Sequence, residues 1–212
     1  MWLSTKRTIL RSLHPGDYPF LYDVAVSGES GWRYRFRGAT PSPESFSTHV
    51  WDGVLAQYVA VGRDSSEVIG LVSLFGYNFR GRHCSLAALA MPAFQGSGLL
   101  IEAAIALIDY GFRTWELHKI YVEALEFNVS QFSRVGDLLV EEGRLVEHEW
   151  CEGIWWDLVT YALHRRRWDE IGPRYVSGLA VGLLDAPPTS SPVSAPPGAS
   201  SGPDLATESA PR

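Results

Sequence analysis

A loop with two glycines offers the clearest chemistry in this sequence. Gln95-Gly96-Ser97-Gly98-Leu99-Leu100 leads directly into an apolar segment of helical character. The first N–H groups of a helix have no partner within it and see its partial positive charge, so we expect free N–H groups from Gln95 to Leu99. Such groups can hold phosphates without a basic side chain, and glycines allow close approach. A plain strand-to-helix turn is the alternative, and spacing alone leaves both open.

Two nucleotide-binding loops fit this stretch poorly. A dinucleotide-binding loop has a third glycine and follows the first strand of its domain. The corresponding position here is Ile101, and three or four predicted strands precede the loop. A Walker A loop needs a lysine before serine or threonine, and this loop contains none. The sequence therefore disfavours both nucleotide-binding folds.

The elements around the loop predict a mixed sheet. Three short runs rich in β-branched and aromatic residues, within 57–91, are separated by polar connectors and predict an antiparallel meander. A helix follows from Leu99 to Phe112, and then a strand at "HKIYVEALEF". Strand, loop, helix and strand make a βαβ unit, so these two strands should be parallel neighbours. Residues 145–150 and 154–165 are predicted to form a final hairpin.

Upstream of the meander, the sequence predicts one strand and two helices. "TILRSL" is typical of a strand, and Asp17 is a suitable N-cap for the helix that follows it. A second helix is expected between Pro41 and Val61, opening on a serine and carrying a glutamate near its start. Asn128 is followed by a polar stretch that predicts another short helix.

Composition divides the chain into three parts. Residues 1–170 carry the predicted elements of one domain, and residues 171–185 form an apolar C-terminal extension. Residues 186–212 consist mainly of proline, serine, alanine, glycine and threonine. Such a segment buries too little apolar surface to offset its chain entropy, so we expect a disordered tail.

Overall composition narrows the function classes. The chain has 212 residues, of which 46% are hydrophobic, enough for one domain with a core. A formal net charge of -6 argues against binding nucleic acid by neutralising phosphates. Cys84 and Cys151 lie far apart, so neither a metal site nor a disulfide framework is predicted.

The apolar segments do not predict membrane insertion. Charged residues interrupt the N-terminal segment, which therefore does not resemble a signal peptide. The most apolar segment carries Glu102 and Asp109, which argues against a membrane span. We expect a cytoplasmic protein with no membrane partner.

The order of these elements, together with four motifs, resembles the GNAT superfamily of acetyl-CoA-dependent N-acetyltransferases. Within it the chain is most similar to the Rim-type branch, which acetylates protein N-termini and small amines. The resemblance covers roughly Thr8 to Asp169. Its motifs, in the expected order, are "PAFQGSG", "EFN", "EEGRLVEHEW" and "GIWWDLVTYAL".

The resemblance implies a binding site for acetyl-CoA. The loop from Gln95 to Leu100 would hold the pyrophosphate, although Leu100 stands where the family has a small residue. Backbone groups near Leu89 and Met91 would pair with the pantetheine arm, as an added strand pairs with a sheet edge. Asn128 matches a position that contacts this arm, and a helix cap is its alternative role.

The resemblance also implies two catalytic groups. A carboxylate six residues beyond a Glu-Gly pair acts as base in the Rim-type pattern, and Glu142-Gly143 places Glu149 there. Glu147 has the same strand parity and is the fallback, whereas a solvated strand face is the structural alternative. The family serine would fall at Gln131, but a one-residue gap aligns Ser130 with it, as the hydrogen-bond partner of the thiol or as a helix cap.

The sequence therefore predicts a single α/β domain, α+β layered, with a mixed, mostly antiparallel seven-stranded sheet and flanking helices. The predicted activity is direct transfer of an acetyl group from acetyl-CoA to a primary amine, either a protein N-terminus or a small molecule. The alternative is a degenerate acyl-CoA-binding or protein-interaction domain of the same fold. The expected partner is the amine acceptor, with a homodimer as the candidate assembly and no metal.

Overall fold

The computed structural model describes residues 2–26 and 38–184, and these form one sheet with helices on both faces. The strands are β1 (Trp2–Ser4), β2 (Thr8–Ser12), β3 (Val54–Gly62), β4 (Val68–Asn78), β5 (His83–Ala90), β6 (Lys119–Leu125), β7 (Val140–Cys151), β8 (Ile154–His164) and β9 (Gly182–Leu184). Their order across the sheet is β7-β8-β6-β5-β4-β3-β2-β1-β9.

The predicted fold class is confirmed, but the sheet has nine strands instead of seven. The two strands that the sequence did not indicate are β1 and β9, each three residues long. A three-residue strand is too short to display the alternation by which strands are identified in a sequence. β1 and β9 pair with each other at the sheet edge, antiparallel, from Trp2 opposite Leu184 to Ser4 opposite Gly182.

Within the described ranges, four α-helices accompany the sheet: α1 (Tyr18–Val26), α2 (Pro43–His49), α3 (Leu99–Thr114) and α4 (Arg165–Leu179). A 3-10 turn at Pro15–Asp17 leads into α1, and Asp17 accepts a hydrogen bond from the His14 backbone N–H at 2.9 Å. Ser42 caps α2 by accepting from the Ser45 N–H at 3.2 Å. Ser42 is thus an N-cap of the expected kind, whereas Asp17 is not the predicted N-cap: it is the third residue of a turn whose N-cap is His14.

The predicted βαβ unit is confirmed. β5 leads through α3 to β6, and the two strands pair in parallel from His83 opposite Lys119 to Leu86 opposite Val122. β3, β4 and β5 form the predicted antiparallel meander, and β7 and β8 form the predicted hairpin. The strand next to β6 is β8, which lies antiparallel to it.

The two faces of the sheet carry separate apolar cores. α3 covers one face, where Leu107, Phe112 and Ile120 are buried. α1 and α2 cover the other face over Leu21 and Phe46. α3 is therefore buried along most of its length, and its N-terminus has a fixed position under the sheet.

The C-terminal part of the described chain belongs to this architecture. α4 continues across residue 170, the boundary expected between domain and extension, and Trp168 stacks on Phe112 of α3 at 6.0 Å between ring centroids. The expected tail, 186–212, lies outside the described residues, as do residues 27–37. Within the described ranges no helix combines the length and the apolar character that a membrane crossing requires.

Candidate active site

The sheet opens where β5 and β6 separate. Their pairing ends at Leu86 and Val122, yet β5 continues beside β4 as far as Ala90 and β6 continues beside β8 as far as Leu125. Each strand is thus held by its other neighbour while the two diverge. The gap leads into a cavity of ≈ 900 Å³ that α3 closes from below.

Most of the predicted site residues line this cavity. Those that do are Leu89, Gln95, Gly96, Gly98, Leu100, Asn128, Ser130 and Glu149. Met91, Ser97 and Leu99 do not. The cavity therefore brings together the glycine loop, the end of β5, the segment after β6 and one face of the final hairpin.

The backbone groups that face the gap differ from those expected. The Met91 N–H donates to the Ile69 carbonyl at 2.9 Å, and the Leu89 carbonyl lies so close to Gly70 that a Cβ there would be 2.2 Å away. Both residues therefore direct backbone groups toward β4, and the expectation that these pair with a ligand needs correction. Backbone direction alternates along an antiparallel ladder, so Ala88 and Ala90 face the gap.

The glycine loop is a turn with two left-handed residues. Gly96 has a φ of 73° and Gly98 a φ of 79°, values at which other residues are strained. The Ser97 hydroxyl donates to the Phe94 carbonyl at 2.7 Å and accepts from the Leu99 N–H at 3.2 Å. Ser97 thus acts within the loop and holds its shape.

The free N–H groups of the loop are a different set from the predicted one. The N–H groups of Gln95 and Ser97 donate to preceding carbonyls, each at 3.3 Å, and that of Leu99 is taken by Ser97. Gly96, Gly98, Leu100 and Ile101 have N–H groups with no acceptor among the described residues. Three of these four belong to the cap and first turn of α3, where an anion is favoured.

Leu100 directs its side chain toward β4 and into the apolar core. A Cβ built on Gly70 would lie 2.9 Å from Leu100 Cδ1 and would displace it. Because Gly70 has no side chain, the Leu100 side chain can occupy the space beside it. The Leu100 N–H remains available to a ligand.

The start of α3 is anchored by a buried carboxylate. Glu102 accepts from the Thr5 hydroxyl at 2.9 Å and from Arg7 Nε at 2.6 Å. Thr5 and Arg7 lie in the turn between β1 and β2. This contact connects the first turn of α3 to the turn between β1 and β2. It therefore fixes the position of the helix end that carries the loop.

Glu149 lies on β7, half-buried, with Trp156 opposite it on β8. Glu147 is exposed and does not line the cavity, contrary to the expectation from strand parity. The register slips between Leu145 and Glu149, and Glu147 has a φ of 48°. A bulge interrupts the alternation of the strand, so parity does not predict the side chain directions across it.

Asn128 and Ser130 lie on a 3-10 helix that spans Glu126–Arg134 and begins directly after β6. This helix starts before Asn128, earlier than the sequence indicated. Both residues line the cavity opposite the β5 edge. A serine hydroxyl at this position can donate one hydrogen bond to a group inside the cavity.

Glu123 on β6 also lines the cavity and was not predicted as a site residue. With Ser85 it lines a second, smaller cavity of ≈ 330 Å³ as well, which includes Tyr121, Glu142 and Thr160. The shared lining residues place the two cavities side by side at the gap. The alternation of side chains along β6 predicts that Glu123 lies on the face away from α3. Its place in the site depends on where β5 and β6 separate, which the sequence does not show.

Cys84 is unsuited to act as a nucleophile. It is a fully buried residue of β5, and burial raises the pKa of its thiol to about 12. A thiol with such a pKa is protonated at neutral pH, whereas the thiolate is the reactive form. Cys84, which does not line the cavity, therefore supplies no nucleophile to it.

A family model described as "Acetyltransferase (GNAT) domain" matches residues 7–133, more than half of the chain. Spermidine N(1)-acetyltransferase of Vibrio cholerae is 29% identical over 156 residues, which are 70% of this chain and 88% of that protein.

A further relative and a solved structure show the same similarity. The [ribosomal protein uS5]-alanine N-acetyltransferase of Escherichia coli is 33% identical over 112 residues, 50% of this chain and 55% of that protein. A crystal structure of spermidine N-acetyltransferase from Vibrio cholerae in complex with CoA and spermine superposes with a TM-score of 0.64 and 26% identity. It covers 76% of this chain and 97% of that chain.

Proposed function

Because the chain belongs to the acetyltransferase (GNAT) domain family, an acetyl-CoA-dependent group of N-acetyltransferases, we propose that it acetylates a primary amine by direct attack on the thioester. The observation that carries this proposal is the cavity between β5 and β6. It joins an anion-binding helix start, a free strand edge, a carboxylate and a hydroxyl in one space. These are the groups that such a transfer requires.

The loop and the strand edge supply the cofactor-binding groups. The four free N–H groups of the loop suit a pyrophosphate, since they provide partial positive charge without a basic side chain. The backbone groups of Ala88 and Ala90 suit the amide groups of the pantetheine arm, which would pair as an added strand. Asn128, across the gap, offers an amide for the same arm.

The reacting groups lie on the opposite side of the cavity. An alkyl ammonium has an ordinary pKa near 10.4, so a base is needed to release the nucleophilic amine at neutral pH. Glu149 accepts this proton, and the amine nitrogen then bonds to the acetyl carbon, giving a tetrahedral intermediate whose oxyanion is stabilised by backbone N–H groups at the gap. As the carbon–sulfur bond breaks, the second proton leaves the nitrogen for the departing thiolate, to which Ser130 donates a hydrogen bond.

The charged side chains of the small cavity indicate which class of amine acceptor the site admits. The relatives act on spermidine in one case and on an alanine of ribosomal protein uS5 in the other. In the small cavity, Glu142 forms an ion pair with Lys119 at 2.7 Å and lies within hydrogen-bond distance of His164 Nε2, at 2.8 Å. Glu123 makes no ion pair with the described residues. An amine that carries a positive charge can approach along this carboxylate.

Turnover experiments test the proposal. Free-thiol release from acetyl-CoA is measured with spermidine and with peptides that begin with alanine. We expect kcat to fall at least about tenfold in Glu149→Gln, because a positioned general base contributes about 10²–10⁴. Ser130→Ala should lower kcat less and leave the KM for acetyl-CoA unchanged.

Glu147→Gln is the matched control, since it removes the neighbouring carboxylate that does not line the cavity. It should retain the full kcat. Full activity of Glu149→Gln would remove that residue from the mechanism. Tight binding of acetyl-CoA with no turnover on any amine would refute the enzymatic function and indicate an acyl-CoA-binding module.

A further inference from the structure

The bulge in β7 decides which of two glutamates faces the cavity. Leu145 pairs with Leu158 and Glu149 pairs with Trp156, so three residues of β7 lie opposite Asp157 alone. In an uninterrupted ladder continuing from Leu145, the residue opposite Trp156 would be Glu147. The two additional residues of the bulge put Glu149 in that place.

Asp157 holds the bulge from the opposite strand. Its Oδ1 accepts a hydrogen bond from the Glu147 backbone N–H at 2.9 Å, and its Oδ2 accepts from Arg144 Nη1 at 3.2 Å. The Glu147 N–H and then Arg144 keep the pKa of Asp157 below its ordinary value, so this carboxylate is ionised at neutral pH. Glu147 itself has a φ of 48°, which a non-glycine residue adopts only when its surroundings impose it.

Arg144 connects this bulge with the other side of the cavity. The same Nη1 that donates to Asp157 also donates to Glu126 Oε1 at 3.2 Å. Glu126 is the first residue of the 3-10 helix that carries Asn128 and Ser130. One guanidinium therefore fixes the segment with the proposed base relative to the segment with the proposed hydroxyl donor.

We propose that Asp157 and Arg144 are positioning residues that hold the β7 bulge and thereby present Glu149, in place of Glu147, to the cavity. This inference rests on the proposed function, because it concerns the orientation of Glu149 as the base. Neither residue lines the cavity, so their effect on catalysis passes through the backbone of β7 and through Glu126. Their role is distinct from binding either substrate.

Variants of Asp157 provide the first test. Asp157→Ala removes the acceptor of the Glu147 N–H, and we expect kcat to fall at least about tenfold, as in Glu149→Gln, with an unchanged KM for acetyl-CoA. Asp157→Asn keeps an oxygen at the same place and should restore most of kcat. The double variant Asp157→Ala/Glu149→Gln should lose no more than Glu149→Gln, because both changes act on one group.

Variants of Glu147 test the bulge without changing Asp157. Glu147→Gly removes the carboxylate but allows positive φ, so it should keep the wild-type kcat. Glu147→Val disfavours positive φ and should lower kcat, again with an unchanged KM for acetyl-CoA. If Asp157→Ala does not fold, this pair decides the question, since a purely structural role predicts equal kcat for both variants.

The failure of this inference is distinguishable from failure of the proposed function. A wild-type protein that acetylates no amine refutes the function. An active wild type in which Glu149→Gln is impaired, while Asp157→Ala and Glu147→Val turn over normally, overturns the inference alone. Additive losses in the double variant would also overturn it, because Asp157 would then act independently of Glu149.

Discussion

Gly96→Ala, a substitution in the glycine loop, is predicted to weaken the binding of CoA. A Cβ at this position would meet no atom within 4 Å, so steric clash is absent. The cost comes from the φ of 73°, and an L residue in the left-handed region costs about 1–2 kcal/mol. The neighbouring turn bonds, from the Gln95 and Ser97 N–H groups, are long at 3.3 Å each. We therefore expect the loop to shift toward negative φ and to turn the Gly96 N–H away from the anion.

Loss of one N–H donor sets the size of the effect. A hydrogen bond to a charged group is worth about 1.5–3 kcal/mol. We expect the Kd of CoA to rise about 10- to 150-fold by this conversion. Pantetheine, which contains no phosphate, should bind Gly96→Ala as well as it binds the wild type. Isothermal titration calorimetry with both ligands measures the difference.

Gly178→Ala is the matched control for this change. Gly178 is exposed on α4, and a Cβ there also meets nothing within 4 Å, but its φ lies outside the left-handed region. Alanine should stabilise this helix by about 0.5–1 kcal/mol and leave the Kd of CoA unchanged. The reasoning is refuted if Gly96→Ala binds CoA like the wild type, or if it loses CoA and pantetheine affinity equally.

Two further predictions concern the frame around the site. Asp17→Asn should lower the free energy of unfolding by about 3 kcal/mol at neutral pH, because Arg11 is left buried without its counter-charge. Burial raises the pKa of Asp17, but Arg11 and the His14 N–H outweigh burial and hold it below its ordinary value, so this stabilisation is present above about pH 4 and disappears as pH falls through the folded-state pKa. Urea unfolding across pH should show wild type and variant converging in acid. Arg165→Leu should lower the free energy of unfolding by about 1–3 kcal/mol, since the guanidinium donates to the Phe112 carbonyl in α3 and to the Trp115 and Leu117 carbonyls just beyond its end. Thermal unfolding checks that loss, and calorimetry should show an unchanged Kd of CoA.

Much of the fold was predictable because its long elements have clear periodicity. α3, β3 to β6 and β8 carry apolar patterns, and the βαβ unit fixes the parallel neighbours β5 and β6. β7 is exposed along most of its length and was identified by the turn that joins it to β8. β1 and β9 were not predictable, because three residues contain no period. Their pairing depends on the sheet edge that β2 provides, which is a tertiary effect.

The sequence predicted which residues lie at the candidate site, but not the directions of their backbone groups and side chains. Gly96, Asn128 and Glu149 were identified from motif spacing, and the structure places all three at the cavity. The direction of the Met91 N–H depends on the register between β4 and β5, which no local pattern encodes. The same limit applies to Glu147, since a bulge changes which residues share a face without changing the sequence period.

Charge explains why the two sides of this site differ. The chain has a formal net charge of -6, and the segment 94–101 contains no charged side chain. Under the proposed function, the net charge of the protein repels a polyanionic cofactor at long range, and the N–H groups at the start of α3 would attract it at short range. The same negative charge would favour an ammonium acceptor, which carboxylates such as Glu123 would attract. Under the proposed function, neutral donors on the cofactor side and carboxylates on the acceptor side would let one gap admit two substrates of opposite charge.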